Sequence, residues 1–165
     1  MKPKVLILGS NGLLGQSLAT RFSQSYQVYK ASLETEDYIP NIGFSYRSTD
    51  MTKRSRMLRY LDQIKPDIII NAAAYTNVDR SETDQETCWN TNVKAVENII
   101  EGADAFNPVL VQISTDYVFD GEAGGYREID KPNPRGVYAR SKMAAENIIH
   151  TCDLEYVIAR TQILY

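Results

Sequence analysis

Cysteine, histidine and long hydrophobic runs are all scarce in this chain of 165 residues. Its two cysteines, Cys88 and Cys152, have no CxxC spacing and its one histidine is His150, so the sequence offers too few ligands for a structural zinc site. No stretch approaches the roughly 20 apolar residues of a membrane span, and the apolar run at residues 5–8 is too short for a secretory signal. We therefore expect no metal site, no membrane span and two free thiols in a reducing, cytoplasmic compartment.

An excess of one charge is also lacking. Lysine and arginine number 18 and aspartate and glutamate number 21, which gives a formal net charge of -3. This balance does not favour binding to nucleic acid or to an anionic membrane surface. With 43% hydrophobic residues, the chain is long enough for one domain with a sizeable core. Residues 1–165 are therefore expected to fold as a single domain.

Short apolar runs alternate with amphipathic patterns along the chain. Runs typical of strands lie at residues 5–8, 27–31, 67–71, 108–113 and 156–159, with a weaker one near 44–46, and helical spacing covers residues 12–22, 57–64, 89–103 and a segment ending near residue 150. Such alternation predicts a parallel sheet with helices on both faces. The expected fold class is α/β, a doubly wound parallel sheet in three α/β/α layers, known as the Rossmann fold.

Three glycines follow the first predicted strand with the spacing GxxGxxG. In a dinucleotide site the first allows a tight turn, the second lets backbone approach a pyrophosphate, and the third lets the next helix pack close to the sheet. The N–H groups at the start of that helix then face the phosphates. The alternative is a glycine-rich turn with no ligand. The predicted cofactor contacts of this loop are Gly9, Asn11, Gly12, Leu13, Leu14 and Gly15.

The end of the second predicted strand lacks the acidic residue that would hold the adenosine ribose 2′-hydroxyl. Lys30 and Ser32 lie there, and Glu34 comes late. A lysine and a serine can instead tolerate a 2′-phosphate, so the sequence favours NADP(H). The alternative is that Lys30 is simply exposed and that both NADP(H) and NAD(H) bind. Asp50 and Met51 are expected to contact the adenine, unless Asp50 only caps the following helix.

Tyr138 and Lys142 form a YxxxK pair, which a helix places on one face. An ammonium beside a phenol lowers the phenol pKa from about 10, and such a phenol can give its proton to a carbonyl oxygen as a hydride arrives. Thr115 directly follows a predicted strand, at the carboxyl end where ligands of open α/β sheets bind. Its hydroxyl can hydrogen-bond a substrate carbonyl, unless Ser114 and Thr115 only cap a turn.

Five segments taken together resemble the extended short-chain dehydrogenase/reductases, and among them the dTDP-4-dehydrorhamnose reductase-like group. They are residues 9–15, 71–79, 114–121, 138–142 and 160–161. The resemblance implies a catalytic triad of Thr115, Tyr138 and Lys142. It also implies reduction of a nucleotide-linked 4-keto sugar with NADPH or NADH.

The resemblance extends to residues outside the triad. It implies that Ala72, Ala73, Ala74 and Tyr75 lie near the cofactor, that Asn92 supports the active site, and that Thr76, Asp79, Ser114, Asp116 and Arg160 lie near the substrate. Asn92 as an exposed helix residue and Arg160 as a simple surface ion pair are the alternatives.

The chain departs from this group in two ways. The ribose-binding acid is missing, and so are the hundred or so further residues that form a smaller substrate domain. We expect the chain to be inactive alone, and a homodimer is left open. The alternatives are a nucleotide-sugar epimerase or dehydratase, for which Asp116 and Tyr117 offer no clear Asp-Glu pair, and a non-catalytic NADP-binding regulatory subunit.

Overall fold

Six parallel strands form the centre of the computed structural model, which describes residues 2–162. They are β1 (Lys4–Leu8), β2 (Gln27–Ser32), β3 (Ser45–Ser48), β4 (Ile68–Asn71), β5 (Val109–Thr115) and β6 (Tyr156–Thr161). Their spatial order is β3-β2-β1-β4-β5-β6, and every neighbouring pair is parallel. The order of the strands reverses between β1 and β4. Ligands of open α/β sheets bind at the carboxyl ends of the strands beside such a reversal.

Helices of different lengths join these strands. They are α1 (Leu13–Phe22), α2 (Arg54–Ile64), α3 (Val78–Ser81), α4 (Gln85–Trp89), α5 (Ala95–Ala103) and α6 (Gly136–His150). A 3-10 turn, Asp116–Val118, follows β5. Within residues 2–162, no helix is long and apolar enough to cross a membrane.

The sheet has an apolar layer on each face, because its central parallel strands are buried on both sides. Side chains of β1 alternate between the layers. Leu6 and Leu8 belong to the layer that contains residues of α2, α5 and α6, whereas Val5 and Ile7 belong to the layer that contains Ala19 of α1. The predicted doubly wound α/β fold is confirmed.

The helix predicted over residues 89–103 is interrupted by a π-helical turn, Asn90–Lys94, between α4 and α5. A π-helical turn is wider than an α-helical turn. The side chains before it therefore point in different directions around the helix axis than a continuous α-helix would give them relative to those after it. Trp89, which the helical spacing placed on the apolar face with Val93, is 41% exposed, whereas Val93 is buried. The same turn buries Asn92.

Candidate functional site

A cleft of about 720 Å³ opens at the carboxyl ends of the strands. It brings together most of the residues that the sequence singled out from distant parts of the chain. Those lining it are Gly9, Gly12, Leu13, Leu14, Gly15, Ser32, Asp50, Met51, Ala72, Ala73, Ala74, Thr76, Ser114, Thr115, Asp116, Tyr138 and Lys142. The glycine loop and the YxxxK pair therefore face one common cleft.

The glycine loop packs too closely for larger residues at two of its positions. Gly9 has a φ of +77°, and a Cβ there would lie 2.7 Å from the backbone nitrogen of Ala73. A Cβ on Gly15 would lie 2.7 Å from the Cα of Ser10. Because α1 has no side-chain cap at Gly12, its first N–H groups are available to a ligand. The loop thus offers backbone donors at the floor of the cleft.

Asn11 acts within the protein instead of lining the cleft. Its side-chain amide donates to the backbone oxygen of Glu36 at 2.8 Å and to the carboxylate of Glu34 at 3.3 Å. Its backbone nitrogen donates to the hydroxyl of Ser32 at 3.0 Å. Ser32 does line the cleft, but its hydroxyl holds the glycine loop against the end of β2.

The expectation that Lys30 meets a 2′-phosphate is wrong, and so is the alternative that it is exposed. Lys30 is 1% exposed, and its ammonium donates to the carboxylate of Asp37 at 2.6 Å and to the backbone oxygen of Ile39 at 2.7 Å. A buried ammonium needs such partners, and the segment after β2 folds back to supply them. The acidic Glu34 lines the cleft instead.

Asp50 and Met51, for which adenine contacts are predicted, both line the cleft. The carboxylate of Asp50 also accepts hydrogen bonds from the backbone nitrogen of Thr52 at 2.9 Å and from its hydroxyl at 2.6 Å. Asp50 therefore closes a turn just before α2. The N-cap position of α2 itself is Lys53, which makes no side-chain cap.

Burial dominates the electrostatics of the predicted triad. It raises the pKa of the Tyr138 phenol, and a hydrogen bond with Thr115 only partly opposes the rise. Burial also lowers the pKa of Lys142 to about 8, although the negative charge of Glu146 acts to raise it. The Lys142 ammonium donates to the backbone oxygen of Ile113 at 2.7 Å. The expected lowering of the tyrosine pKa by the lysine is therefore not found.

A buried carboxylate, Glu146, lies on α6 one turn beyond Lys142. It accepts a hydrogen bond from the hydroxyl of Ser114 at 2.5 Å and pairs with the guanidinium of Arg160 at 2.7 Å. Glu146 has no exposed surface, and the side chain of Arg160 is 18% exposed. Arg160 is thus a partly buried partner of a fully buried carboxylate, and the alternative of a simple surface ion pair is wrong. It lines an adjacent pocket instead of the main cleft.

Asn92 supports the loop that follows β4. Its side-chain oxygen accepts from the backbone nitrogen of Tyr75 at 2.8 Å, and its amide donates to the Tyr75 oxygen at 3.2 Å and to the hydroxyl of Ser141 at 2.9 Å. Asn92 is 3% exposed, so the alternative of an exposed helix residue is wrong. The supporting position that the resemblance implied agrees with these contacts.

Two further residues expected at the cofactor or substrate, Tyr75 and Asp79, also lie outside the cleft. The Tyr75 hydroxyl donates to Asp84 at 3.3 Å, and Tyr75 does not line the cleft. Asp79 is exposed on α3, also outside the cleft. Thr76 and Val78 are the residues of this segment that line the cleft together with the three alanines before them. Among residues 2–162, no group of three or more His, Cys, Asp and Glu side chains could hold a metal ion.

Sequence reasoning missed Glu82, which holds the start of the helix that carries Tyr138. Its carboxylate accepts from the backbone nitrogen of Val137 at 2.7 Å. Gly136, the first residue of α6, has a φ of +72°, and a Cβ there would lie 2.8 Å from the same carboxylate. No local pattern could reveal this cap, because its two partners are far apart in the sequence.

Comparison with known families identifies the chain. The model of the RmlD substrate binding domain family matches residues 2–165. The chain belongs to this family.

Two of the proteins to which this RmlD family member is similar are named as dTDP-4-dehydrorhamnose reductases. A dTDP-4-dehydrorhamnose reductase of Aggregatibacter actinomycetemcomitans is 34% identical over 96% of the chain and 50% of the relative. The crystal structure of dTDP-4-dehydrorhamnose reductase from Bacillus anthracis in complex with NADP is 33% identical, with a TM-score of 0.88, over 100% of this chain and 55% of that one.

Another relative carries a different name. Methionine adenosyltransferase 2 subunit beta of Bos taurus is 29% identical over 98% of the chain and 47% of its own length. The RmlD family member described here thus spans about half the length of the relatives it matches.

Proposed function

We propose that this chain is the cofactor-binding domain of a reductase that uses NAD(H) or NADP(H) on the 4-keto group of a nucleotide-linked sugar. The observation that carries the proposal is the common cleft. The glycine loop lines one part of it, and Thr115, Tyr138 and Lys142 line another. The relatives named for reduction of a dTDP-linked keto sugar support this choice of substrate.

The glycine loop and the strand ends would hold the cofactor. The closely packed Gly9 and Gly15 keep side chains away from the phosphates, and the uncapped start of α1 supplies N–H donors. Small side chains at Ala72, Ala73 and Ala74 leave room beside the loop. A bound nicotinamide supplies the hydride for the reaction.

The triad would handle the proton and the orientation of the carbonyl. The Tyr138 phenol donates its proton to the keto oxygen, and the Thr115 hydroxyl donates a hydrogen bond that orients the same oxygen. The raised pKa of Tyr138 keeps the phenol protonated until then. Lys142, with a pKa of about 8, is mostly protonated at neutral pH and can donate to the ribose hydroxyls. Its charge would also stabilise the tyrosinate that remains after proton transfer.

The substrate lobe is proposed to lie outside residues 1–165, because the relatives are about twice as long as this chain. We also propose a cytoplasmic protein, since Cys88 and Cys152 are both free thiols. A homodimer stays a prediction.

The proposal is tested by two measurements. Calorimetry of the chain with NADH and NADPH should detect binding of at least one cofactor. A longer protein that contains this chain should oxidise the cofactor in the presence of a dTDP-4-keto sugar, and Tyr138→Phe should keep the binding but lower kcat by about 10²- to 10⁴-fold. If neither NADH nor NADPH binds at millimolar concentration, the proposal is wrong.

A non-catalytic, regulatory subunit that binds NADP(H) is the second candidate, because one relative is named as a subunit of a methionine adenosyltransferase. In that case the longer protein would bind the cofactor, gain thermal stability from it and turn over no sugar. An epimerase or dehydratase would instead show no net cofactor consumption.

A further inference from the structure

The adenosine end of the cleft lies where the glycine loop meets the end of β2. The backbone nitrogen of Gly9 donates to the oxygen of Ala31 at 2.8 Å, and that of Asn11 donates to the Ser32 hydroxyl at 3.0 Å. In dinucleotide-binding folds the adenosine ribose lies at this junction. Side chains here therefore meet a 2′-hydroxyl in NAD(H) and a 2′-phosphate in NADP(H).

The carboxylate of Glu34 lies at this junction although Glu34 comes after the end of β2. It accepts a hydrogen bond from the Asn11 side chain at 3.3 Å, and the backbone oxygen of Glu34 accepts one from the Tyr46 hydroxyl at 2.5 Å. Glu34 lines the cleft. It follows Gly15 by about 20 residues, the separation at which an acidic residue contacts the ribose.

No arginine or lysine of residues 2–162 lines this end of the cleft. Lys30 is turned to Asp37, and the one cation among the lining residues, Lys142, lies with Tyr138. Other polar residues toward the start of α2 are Thr49, Asp50 and Thr52. A 2′-phosphate, with about -1.5 to -2 charges at neutral pH, would therefore find carboxylates and no counter-charge.

We infer that Glu34 makes this cleft selective for NAD(H) over NADP(H). Its carboxylate can accept a charge-assisted hydrogen bond from the ribose 2′-hydroxyl, and it repels a 2′-phosphate of the same sign. The inference deepens the proposed function and rests on it, because it requires a dinucleotide in the cleft. It reverses the preference for NADP(H) that Lys30 and Ser32 indicated.

The direct test is a titration of the chain with NADH and with NADPH at neutral pH and low salt, followed by nicotinamide fluorescence. We expect the Kd for NADPH to exceed that for NADH by about tenfold or more. Added salt should bring the two Kd values closer, because it screens the repulsion between the carboxylate and the phosphate.

The test residue and its control are two neighbouring carboxylates. Glu34→Gln removes the charge and keeps the size, so the ratio of the Kd values should fall toward one. Glu34→Arg should invert the ratio, because a guanidinium binds phosphate. Glu36→Gln makes the same change in net charge at an exposed residue that does not line the cleft, and it should keep the original ratio. Far-UV circular dichroism of each variant checks the fold.

The possible results separate the inference from the function on which it rests. Equal Kd values, or tighter binding of NADPH, would overturn the selectivity of Glu34. The selectivity would also be overturned if the ratio of the two Kd values were the same in Glu34→Gln as in Glu36→Gln. If neither cofactor binds the unaltered chain, the proposed function fails instead.

Discussion

At the scale of single residues, two buried charged side chains of α6, Lys142 and Glu146, connect this helix to the sheet beside the cleft. Glu146 on α6 takes hydrogen bonds from Ser114 on β5 and Arg160 on β6. Lys142, one turn earlier, donates to the backbone of β5. Two charged side chains of one helix thus fix its position along β5, and with it the approach of Tyr138 to Thr115.

Arg160→Met should strongly destabilise the fold. It leaves the fully buried carboxylate of Glu146 without its cation, and breaking a buried pair in this way costs about 3–5 kcal/mol of unfolding free energy. Urea denaturation followed by circular dichroism measures the loss. Arg54→Met is the matched control, because Arg54 pairs with Glu101 at the exposed surface and its loss should change little. Equal effects of the two substitutions would contradict the prediction.

Lys142 should give a pH dependence of stability. Its pKa falls from 10.5 in the unfolded chain to about 8 in the fold, so between these pH values the unfolded chain binds more protons. Stability therefore rises with pH in this window, by about 3 kcal/mol for this one group.

A comparison with Lys142→Met isolates that contribution, because the other titrating groups are shared. The unfolding free energy of the parent should increase relative to that of the variant as the pH rises from about 8 toward 10.5. A difference between the two proteins that stays constant across this range would show that the folded pKa is not lowered.

At the scale of elements, side-chain hydrogen bonds attach α6 to the rest of the fold along much of its length. Its first turn is held by Glu82, from the segment after α3, and its middle by β5. The hydroxyl of Ser141 on the same helix also accepts from Asn92 in the π-helical turn. Because Glu146 also pairs with Arg160 on β6, the helix that carries the phenol is tied to four separate parts of the chain.

Gly136→Ala should destabilise α6 at its start. The new Cβ meets a backbone with φ of +72° and lies 2.8 Å from the Glu82 carboxylate. Gly124→Ala is the control, since its φ of +69° imposes similar strain while nothing lies within 4 Å of the added carbon. Strain of this kind costs about 1–3 kcal/mol.

The thermal midpoint should therefore fall further for Gly136→Ala than for Gly124→Ala. The additional fall measures the contact with Glu82. In a Glu82→Ala background, the difference in thermal midpoint between Gly136→Ala and Gly124→Ala should be much smaller. If this difference does not change, Glu82 does not cap α6.

Local patterns predicted most elements but not the contacts between distant ones. The strands at residues 5–8 and 67–71 are visible as apolar runs, and the cleft residues follow them in sequence. The π-helical turn at Asn90–Lys94 leaves no such trace, because its residues have ordinary helical spacing. The burial of Lys30 was missed for a different reason. Its partner Asp37 reaches it only after the intervening segment has folded back.

At the scale of the whole molecule, the length of the chain relative to its relatives bears on the activity that it can have alone. The cleft contains the residues proposed for cofactor binding and proton transfer, but the chain covers only about half of its relatives. We expect the 165-residue chain to bind cofactor yet turn over no dTDP-4-keto sugar, because most of the substrate affinity would come from the remaining half. Measurable turnover by the chain alone, followed by cofactor absorbance, would contradict this.

The contacts of Asn11, Ser32 and Lys30 have a consequence for protein engineering. Hydrogen bonds of these three residues join the glycine loop, β2 and residues 33–39 to one another. A designer who wishes to graft the adenosine-binding segment of another protein onto this scaffold cannot exchange that segment by itself. The graft has to bring its own anchors for the glycine loop and for the Lys30 ammonium, or else leave both without partners.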